Sequence, residues 1–157
     1  MTEAVALFSG HIWDVPQHMR KSLDDVRSAT KANEHLLDEL AEFHAKQLLT
    51  GIAPANGRKL IARTFKDRDL TFVRLLAQKS TRLESNVVVF LASTSEQVSL
   101  VFAQSKGMPF DMGALLKETL AKLGGRGGGS KDLAQGGAPT SEGLEAVLEK
   151  LPQRLRA

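Results

Sequence analysis

A narrow apolar stripe repeats along the first third of the chain. Its positions advance by alternating steps of four and three residues, which is the spacing of a coiled-coil seam. Pro16 suits the first turn of a helix, and neither Pro nor Gly follows it before Gly51. The pattern therefore predicts one helix over residues 16–49, about 50 Å long. The stripe consists of Met19, Leu23, Val26, Thr30, Asn33, Leu37 and Leu40.

A helix of this length leaves two possibilities for its apolar stripe. The residues that follow are too few to cover all of it, so a second copy of the chain is the simplest partner. In the alternative, the helix bends back onto its own domain. The sequence leaves both possibilities open. Of the two, we predict a homodimer that forms through the N-terminal helix.

The segment 51–57 separates this helix from a region with a different pattern. It contains two glycines and Pro54 within seven residues, a composition that ends regular structure. We therefore predict two parts: a long helical dimerisation segment over residues 1–50 and a globular domain over residues 58–157.

The pattern beyond residue 58 alternates between strands and helices. Residues 87–92 form a continuous apolar run that begins with three β-branched valines, which is typical of a strand covered on both faces. A second apolar run at 98–103 follows after a short turn, so the two predict a hairpin. Asp111 is placed to cap a helix. The sequence predicts an α+β fold, in which a long coiled-coil-like N-terminal helix precedes a mixed β-sheet domain covered by helices. The remaining predicted elements are a strand at 60–65 and helices at 70–83 and after Thr140.

Composition and charge exclude several classes of protein. The chain has 157 residues, of which 42% are hydrophobic, so it can bury a core, and it has no cysteine for disulfides, thiolate catalysis or Cys-ligated zinc. The longest apolar run, at 87–92, is too short to cross a membrane. No signal-peptide pattern opens the chain, and we expect a cytoplasmic protein. The net charge is only +3, but eight of the basic residues fall between Arg58 and Arg82.

The segment 124–137 carries the most information about function. It holds seven of the chain's 13 glycines, in the order GGRGGGSKDLAQGG. Glycines without side chains let backbone N–H groups approach phosphate or ribose oxygens, and Arg126 and Lys131 supply positive charge. The alternative is a flexible surface linker. Neither the Walker A order nor the dinucleotide-binding spacing of glycines fits, because Ser130 precedes Lys131 and the preceding element is a helix.

This segment resembles the glycine-rich motif of the DHH-associated domain, in the version that ends alanyl-tRNA synthetases (the C-Ala domain) and the long alanyl-tRNA editing proteins. The hairpin at 86–103, the helix beginning at Met112 and the charged helix over 1–50 are similar to the same family. The resemblance implies a module that binds the outer corner of an alanine-specific tRNA through a glycine-rich loop at 124–137. It also implies that the module dimerises through its helix. The residues implied to face RNA are Gly124, Gly125, Arg126, Gly127, Gly128, Gly129, Ser130, Lys131, Gln135, Gly136 and Gly137.

No catalytic or metal centre is predicted. The four histidines lack the His-xxx-His spacing of a zinc site and have no cysteine beside them. We therefore expect this chain alone not to be an enzyme and to need no cofactor. The alternative is the substrate-binding lobe of a DHH-type phosphoesterase or nuclease. Those proteins typically carry His after the glycine triplet, where this chain has Ser130.

Overall fold

The computed structural model describes residues 15–156. Helix α1 (Val15–Thr50) contains the helix predicted over 16–49. The chain divides into two compact units, one ending at Glu39 and the other beginning at Leu40. The described part of the first unit is the N-terminal portion of α1. Three apolar side chains of the predicted stripe are more than half exposed there, namely Met19 (51%), Leu23 (56%) and Val26 (62%). Residues 1–14 of the predicted helical segment lie outside the described residues.

The second unit combines one sheet with helices, so the predicted α+β fold is confirmed. The predicted strands and helices between residues 58 and 123 form within a residue or two of their expected bounds. The elements after α1 are β1 (Lys59–Phe65), α2 (Leu70–Leu83), β2 (Val87–Ser93), β3 (Val98–Gln104), α3 (Met112–Lys122), β4 (Arg126–Gly129), β5 (Leu133–Ala138) and α4 (Leu144–Arg156).

The five strands form one mixed sheet in the order β1-β2-β3-β5-β4. Strands β1 and β2 are parallel and are joined by the crossover helix α2, whereas all the other neighbours are antiparallel. Strand β2 is buried along its whole length, as its continuous apolar sequence predicts. The sheet therefore ends at β1 on one side and at β4 on the other.

Helices cover both faces of this sheet. On one face, α3 and α4 pack against alternate strand residues, and the rings of Phe90 and Phe102 meet edge to face with centroids 4.9 Å apart. Helix α2 packs over β2 and β3 with a buried face that includes Phe72 and Leu76. The two faces of the sheet are thus covered by helices that alternate with its strands along the chain.

The last turns of α1 belong to this second unit. Ala41, Ala45 and Leu49 are buried, and the His44 ring lies edge-on to Phe72 with centroids 5.8 Å apart. Lys59 Nζ donates to the Leu49 carbonyl at 2.9 Å and also forms an ion pair with Glu84 at 2.7 Å. The first residue of β1 therefore caps the C-terminal end of α1.

Two helices begin with a side-chain cap, and the sequence predicted one of them. Asp111 accepts a hydrogen bond from the backbone N–H of Ala114 at 3.0 Å, as predicted for the start of α3. Asp69 does the same for α2, accepting from Phe72 N at 2.9 Å. These caps fix where α2 and α3 begin, and α3 is the helix that supports the glycine-rich segment.

Candidate functional site

The glycine-rich segment is mainly a β-hairpin, so the prediction of a loop over residues 124–137 is wrong. Strands β4 and β5 pair antiparallel, with Gly127 opposite Gly136 and Gly128 opposite Gln135. Strand β5 also pairs with β3. The turn of the hairpin is confined to residues 130–132, and the segment supplies the last two strands of the sheet.

Close packing explains most of the glycines in this hairpin. A Cβ atom at Gly127 would lie 2.5 Å from Gly136 Cα and 2.7 Å from Leu120 Cδ1. A Cβ atom at Gly125 would lie 2.3 Å from the Gly137 carbonyl oxygen, and one at Gly129 would lie 2.4 Å from the Leu133 carbonyl oxygen. No side chain fits at such distances, because at each position at least one of these close atoms belongs to the backbone. These glycines are needed by the hairpin itself.

Gly128 differs from its neighbours in β4. A Cβ atom there would meet nothing closer than Lys117 Cε, at 3.6 Å, which is ordinary van der Waals contact. Its backbone conformation is also extended and suits any residue, since its φ lies outside the left-handed region. The hairpin does not require glycine at this position, so Gly128 is the glycine of β4 whose lack of a side chain the fold leaves unexplained.

The turn of the hairpin is held against the start of α3. Ser130 N donates to the Leu133 carbonyl at 2.8 Å, and the Ser130 hydroxyl accepts from Leu133 N at 3.2 Å. The first N–H groups of α3 donate outward to the turn: Met112 N to the Lys131 carbonyl at 2.9 Å and Gly113 N to the Ser130 carbonyl at 3.1 Å. The predicted site residue Ser130 therefore serves the turn, and these N–H groups are already satisfied by protein.

Three basic side chains surround the hairpin. Arg126 begins β4, Lys131 lies in the turn, and Lys117 of α3 lies beside Gly128; all three are exposed. Within the part of the chain that the structure describes, none of the three forms an ion pair. Sequence reasoning missed Lys117, because only the packing of α3 beneath β4 brings it to the hairpin.

Two other cations near α3 are used within the protein. Arg154 donates to Glu118 through both terminal nitrogens, at 2.9 and 3.3 Å, and Lys122 lies 3.5 Å from the same carboxylate. The hydrogen bond from Arg154 and its charge, with Lys122 contributing less, hold the pKa of Glu118 below its ordinary value. This cluster links α3 to α4 and leaves Arg126, Lys117 and Lys131 as the uncompensated charges.

The predicted site residues in β5 face their partners across the hairpin. Gln135 lies opposite Gly128 in β4 and opposite Val101 in β3, and it is half-buried. Gly137 lies opposite Arg126. Gly136 is enclosed by Leu120 and Gly127. The structure thus brings Arg126, Gly128 and Gln135 together on neighbouring strands, while Gly136 belongs to the interior of the hairpin.

The basic residues between Arg58 and Arg82 are in part structural. Arg58 lies over the Phe110 ring at 5.2 Å from its centroid, and Arg68 lies over the Phe72 ring at 4.7 Å. Lys59 caps α1, and Lys79 lies 4.0 Å from a carboxylate oxygen of Glu42. These four side chains contact other parts of the fold. The other four basic residues of this stretch are exposed and form no ion pair among the described residues, so positive charge is available there as well as at the hairpin.

Catalytic groups do not gather in the described residues. Between residues 15 and 156, no three His, Asp or Glu side chains are placed to hold a metal ion. His18, His35 and His44 lie on α1, and His11 is outside the described residues. No helix within the same range is both long and apolar enough to cross a membrane.

Known proteins resemble this chain over most of its length. It is 31% identical over 142 residues to an alanine–tRNA ligase of Psychrobacter arcticus, which covers 88% of this chain and 16% of that protein. An alanine–tRNA ligase of Oleidesulfovibrio alaskensis is 28% identical over 158 residues, covering 99% of this chain and 18% of the ligase. The chain therefore spans about a sixth of the length of these relatives.

A solved structure shares the fold. The C-Ala domain from Aquifex aeolicus alanyl-tRNA synthetase superposes with a TM-score of 0.60 at 25% identity, covering 67% of this chain and 97% of that domain. The C-Ala domain is a non-catalytic part of the synthetase, in agreement with the expectation that this chain alone is not an enzyme. The DHHA1 domain family matches residues 57–157, which include the whole sheet and the glycine hairpin. The chain belongs to the DHHA1 domain family.

Proposed function

We propose that this chain is the tRNA-binding module of an alanyl-tRNA synthetase or of an alanyl-tRNA editing protein, and that it binds the outer corner of alanine tRNA through the β4–β5 hairpin. The relatives named above are alanine–tRNA ligases, which favours a synthetase as the parent protein. The proposed contact residues are those predicted between Gly124 and Gly137, with Lys117 added and without Gly136, which lies in the interior of the hairpin.

The observation that carries this proposal is the combination of Gly128 with three uncompensated cations. Gly128 leaves the backbone of β4 open to close approach, and Lys117 lies beside it. Arg126 begins the same strand and Lys131 lies in the turn that follows; none of the three forms an ion pair among the described residues. Strand β4 is also the edge of the described sheet, so one side of its backbone has no neighbouring strand. Open N–H groups beside guanidinium and ammonium groups favour the phosphates of a nucleic acid.

The scarcity of aromatic residues favours a folded RNA over a single strand as the ligand. Aromatic residues make up 5% of the chain, and it has no tyrosine. The rings of Phe90 and Phe102 are fully buried in the sheet core, and the exposed ring of Phe43 (58%) lies on α1 and not on the hairpin. Single-stranded RNA is usually bound by stacking bases on exposed rings, whereas a folded RNA is recognised through its shape and phosphates.

The first experiment titrates the purified chain with folded alanine tRNA and with unstructured RNA of equal length, at two salt concentrations. We expect preferential binding of the tRNA, with log Kd rising by about 0.7 to 0.9 per log unit of salt for each neutralised phosphate. Equal weak binding of both RNAs, or none, would contradict the proposal.

Replacing Gly128 with Phe tests the hairpin directly. The ring would cover the backbone of β4, so we expect tRNA affinity to fall at least about tenfold while the fold remains intact, because space is open there. Fluorescence anisotropy with labelled tRNA measures the affinity, and circular dichroism checks the fold. Ala146→Phe is the matched control, because it adds the same ring to an exposed position of α4. Equal affinities for the two variants would remove the hairpin from the interface.

We also propose that α1 mediates a homodimer. Its stripe residues Met19, Leu23 and Val26 are more than half exposed, at the heptad-like spacing that favours pairing with a second helix. Burying such side chains against a second copy removes their apolar surface from water. The dimer belongs to the helical stripe and the RNA contact to the hairpin, so the two functions are separable.

The double substitution Leu23→Asp with Leu37→Asp tests this separation. We expect sedimentation to show a shift from dimer to monomer, because burying two carboxylates in an apolar interface costs more free energy than the remaining apolar contacts contribute. Affinity for tRNA per chain should stay within about twofold. Ser28→Asp, on the opposite side of the helix, is the control and should leave the dimer intact. A monomeric unaltered chain at micromolar concentration would exclude this dimer.

A further inference from the structure

A buried amide reaches the turn of the glycine hairpin from a different strand. Gln104 ends β3, and only 3% of the residue is exposed. Its side-chain Nε2 lies 2.7 Å from the Phe110 carbonyl, 3.0 Å from the Lys131 carbonyl and 3.0 Å from Asp132 Oδ1. The two hydrogens of one NH₂ group therefore serve three acceptors, two of which belong to the turn.

The surroundings fix which way this amide faces. All three nearby atoms are oxygens, so turning the amide over would place Oε1 against three acceptors. In the orientation described, Oε1 is buried and has no hydrogen-bond partner within residues 15–156. A buried acceptor without a partner lowers stability, so its presence calls for a compensating contribution. Here that contribution comes from the hydrogen bonds that Nε2 donates to the turn.

The same turn is also held by backbone groups. Gln104 N donates to the Asp132 carbonyl at 2.9 Å. The Lys131 carbonyl also accepts from Met112 N, so it receives one bond from α3 and one from Gln104. The Lys131 side chain, in contrast, is exposed. The backbone of the turn is thus fixed while its charged side chain points to solvent.

We propose that Gln104 is a positioning residue for RNA binding. By holding the Lys131 carbonyl and the Asp132 carboxylate, it sets the turn in the geometry that presents Lys131 to an RNA phosphate. A turn ordered before binding loses little conformational entropy on binding, which favours affinity. This inference rests on the proposed function, because it assigns Lys131 to the phosphate contact.

The test compares two neighbouring buried residues. Gln104→Leu removes the amide at similar size. Ser105→Ala is the matched control: Ser105 is also 3% exposed. Its hydroxyl donates to the Thr81 and Glu84 carbonyls and accepts from Val87 N, none of which belongs to the hairpin turn. We expect both variants to unfold at lower urea concentration. Only Gln104→Leu should weaken tRNA binding, by about fivefold, under conditions where both are folded.

A double-mutant cycle identifies the residue through which Gln104 acts. Lys131→Ala should weaken tRNA binding by about fivefold to tenfold, as the loss of one charged contact does. In that background, Gln104→Leu should cause no further loss, because the side chain that it positions is gone. A general loss of stability would not produce this dependence.

Hydrogen exchange on the free protein tests whether Gln104 orders the turn, independently of whether the chain binds tRNA. In Gln104→Leu, the amides of Met112 and Gly113 should exchange faster, whereas in Ser105→Ala they should not. Unchanged exchange, unchanged tRNA affinity of Gln104→Leu, or additive losses with Lys131→Ala would each overturn the positioning role. Absence of tRNA binding by the unaltered chain would instead overturn the proposed function, even where exchange shows that Gln104 holds the turn.

Discussion

Gly136→Ala is expected to lower the free energy of unfolding of the second unit by about 2–3 kcal/mol. A Cβ atom at Gly136 would lie 2.4 Å from Leu120 Cδ1, 2.6 Å from Gly127 Cα and 2.7 Å from the Arg126 carbonyl oxygen. Leu120 could move, but the two backbone atoms belong to the paired strand and cannot. The hairpin would have to separate locally to admit one methyl group. Urea unfolding followed by circular dichroism measures this loss.

Gly128→Ala is the matched control for this substitution. It adds the same methyl group to the same hairpin, where the nearest atom would be Lys117 Cε at 3.6 Å. The expected change is within about 0.5 kcal/mol, since replacing glycine also restricts the unfolded chain. Similar losses at Gly136 and Gly128 would show that glycine content, and not close packing, determines the stability of the hairpin.

Leu120→Ala is expected to cost about 3–4 kcal/mol. Leu120 lies on α3, is 1% exposed, and its two methyl carbons point at the places that side chains on Gly125, Gly127 and Gly136 would occupy. It therefore fills the space that the glycines leave open. Truncation leaves a cavity against bare backbone, which cannot collapse without breaking strand pairing. Urea unfolding of this variant gives the cost.

The double variant Leu120→Ala with Gly136→Ala checks the cause. If the leucine and the glycine are complementary, the methyl group at residue 136 enters space vacated at residue 120. The combined loss should then be smaller than the sum of the single losses by the share that the Leu120 contact contributes, about 0.5–1 kcal/mol, whereas the close contacts with the Gly127 and Arg126 backbone remain. Strict additivity would mean that Leu120 stabilises α3 independently of the hairpin.

Much of the fold was predictable because local patterns and tertiary packing agree. The apolar run at 87–92 is the fully buried β2, and Asp111 caps α3 as its position suggests. Strands β4 and β5 were not predictable in this way. Glycine is a poor strand former, so RGGG and LAQGGA give no local signal for pairing. Their pairing depends on Leu120 and on β3, which lie elsewhere in the sequence.

The sequence was sufficient to predict many residues of the candidate site, but not how they are arranged in space. The sequence pointed to Arg126, Lys131 and the glycines, but it could not separate Gly128 from the glycines that the hairpin itself requires. That distinction depends on distances to α3 and β5. Lys117 and Gln104 reach the hairpin from a helix and a strand that precede it, so only the folded chain shows their place.

The cap that Lys59 places on α1 bears on where the domain can be cut. The family match begins at residue 57, yet Ala41, Ala45 and Leu49 are buried in the same unit, and Lys59 holds the Leu49 carbonyl. A fragment that starts at the family boundary would leave Phe72 without the edge-on contact of His44 and Lys59 without the Leu49 carbonyl, although its ion pair with Glu84 would remain. A fragment that starts near Leu40 keeps these contacts, so we expect a gene fusion or recombination event to preserve the packing on Phe72 when it carries the last three turns of α1 along with the domain.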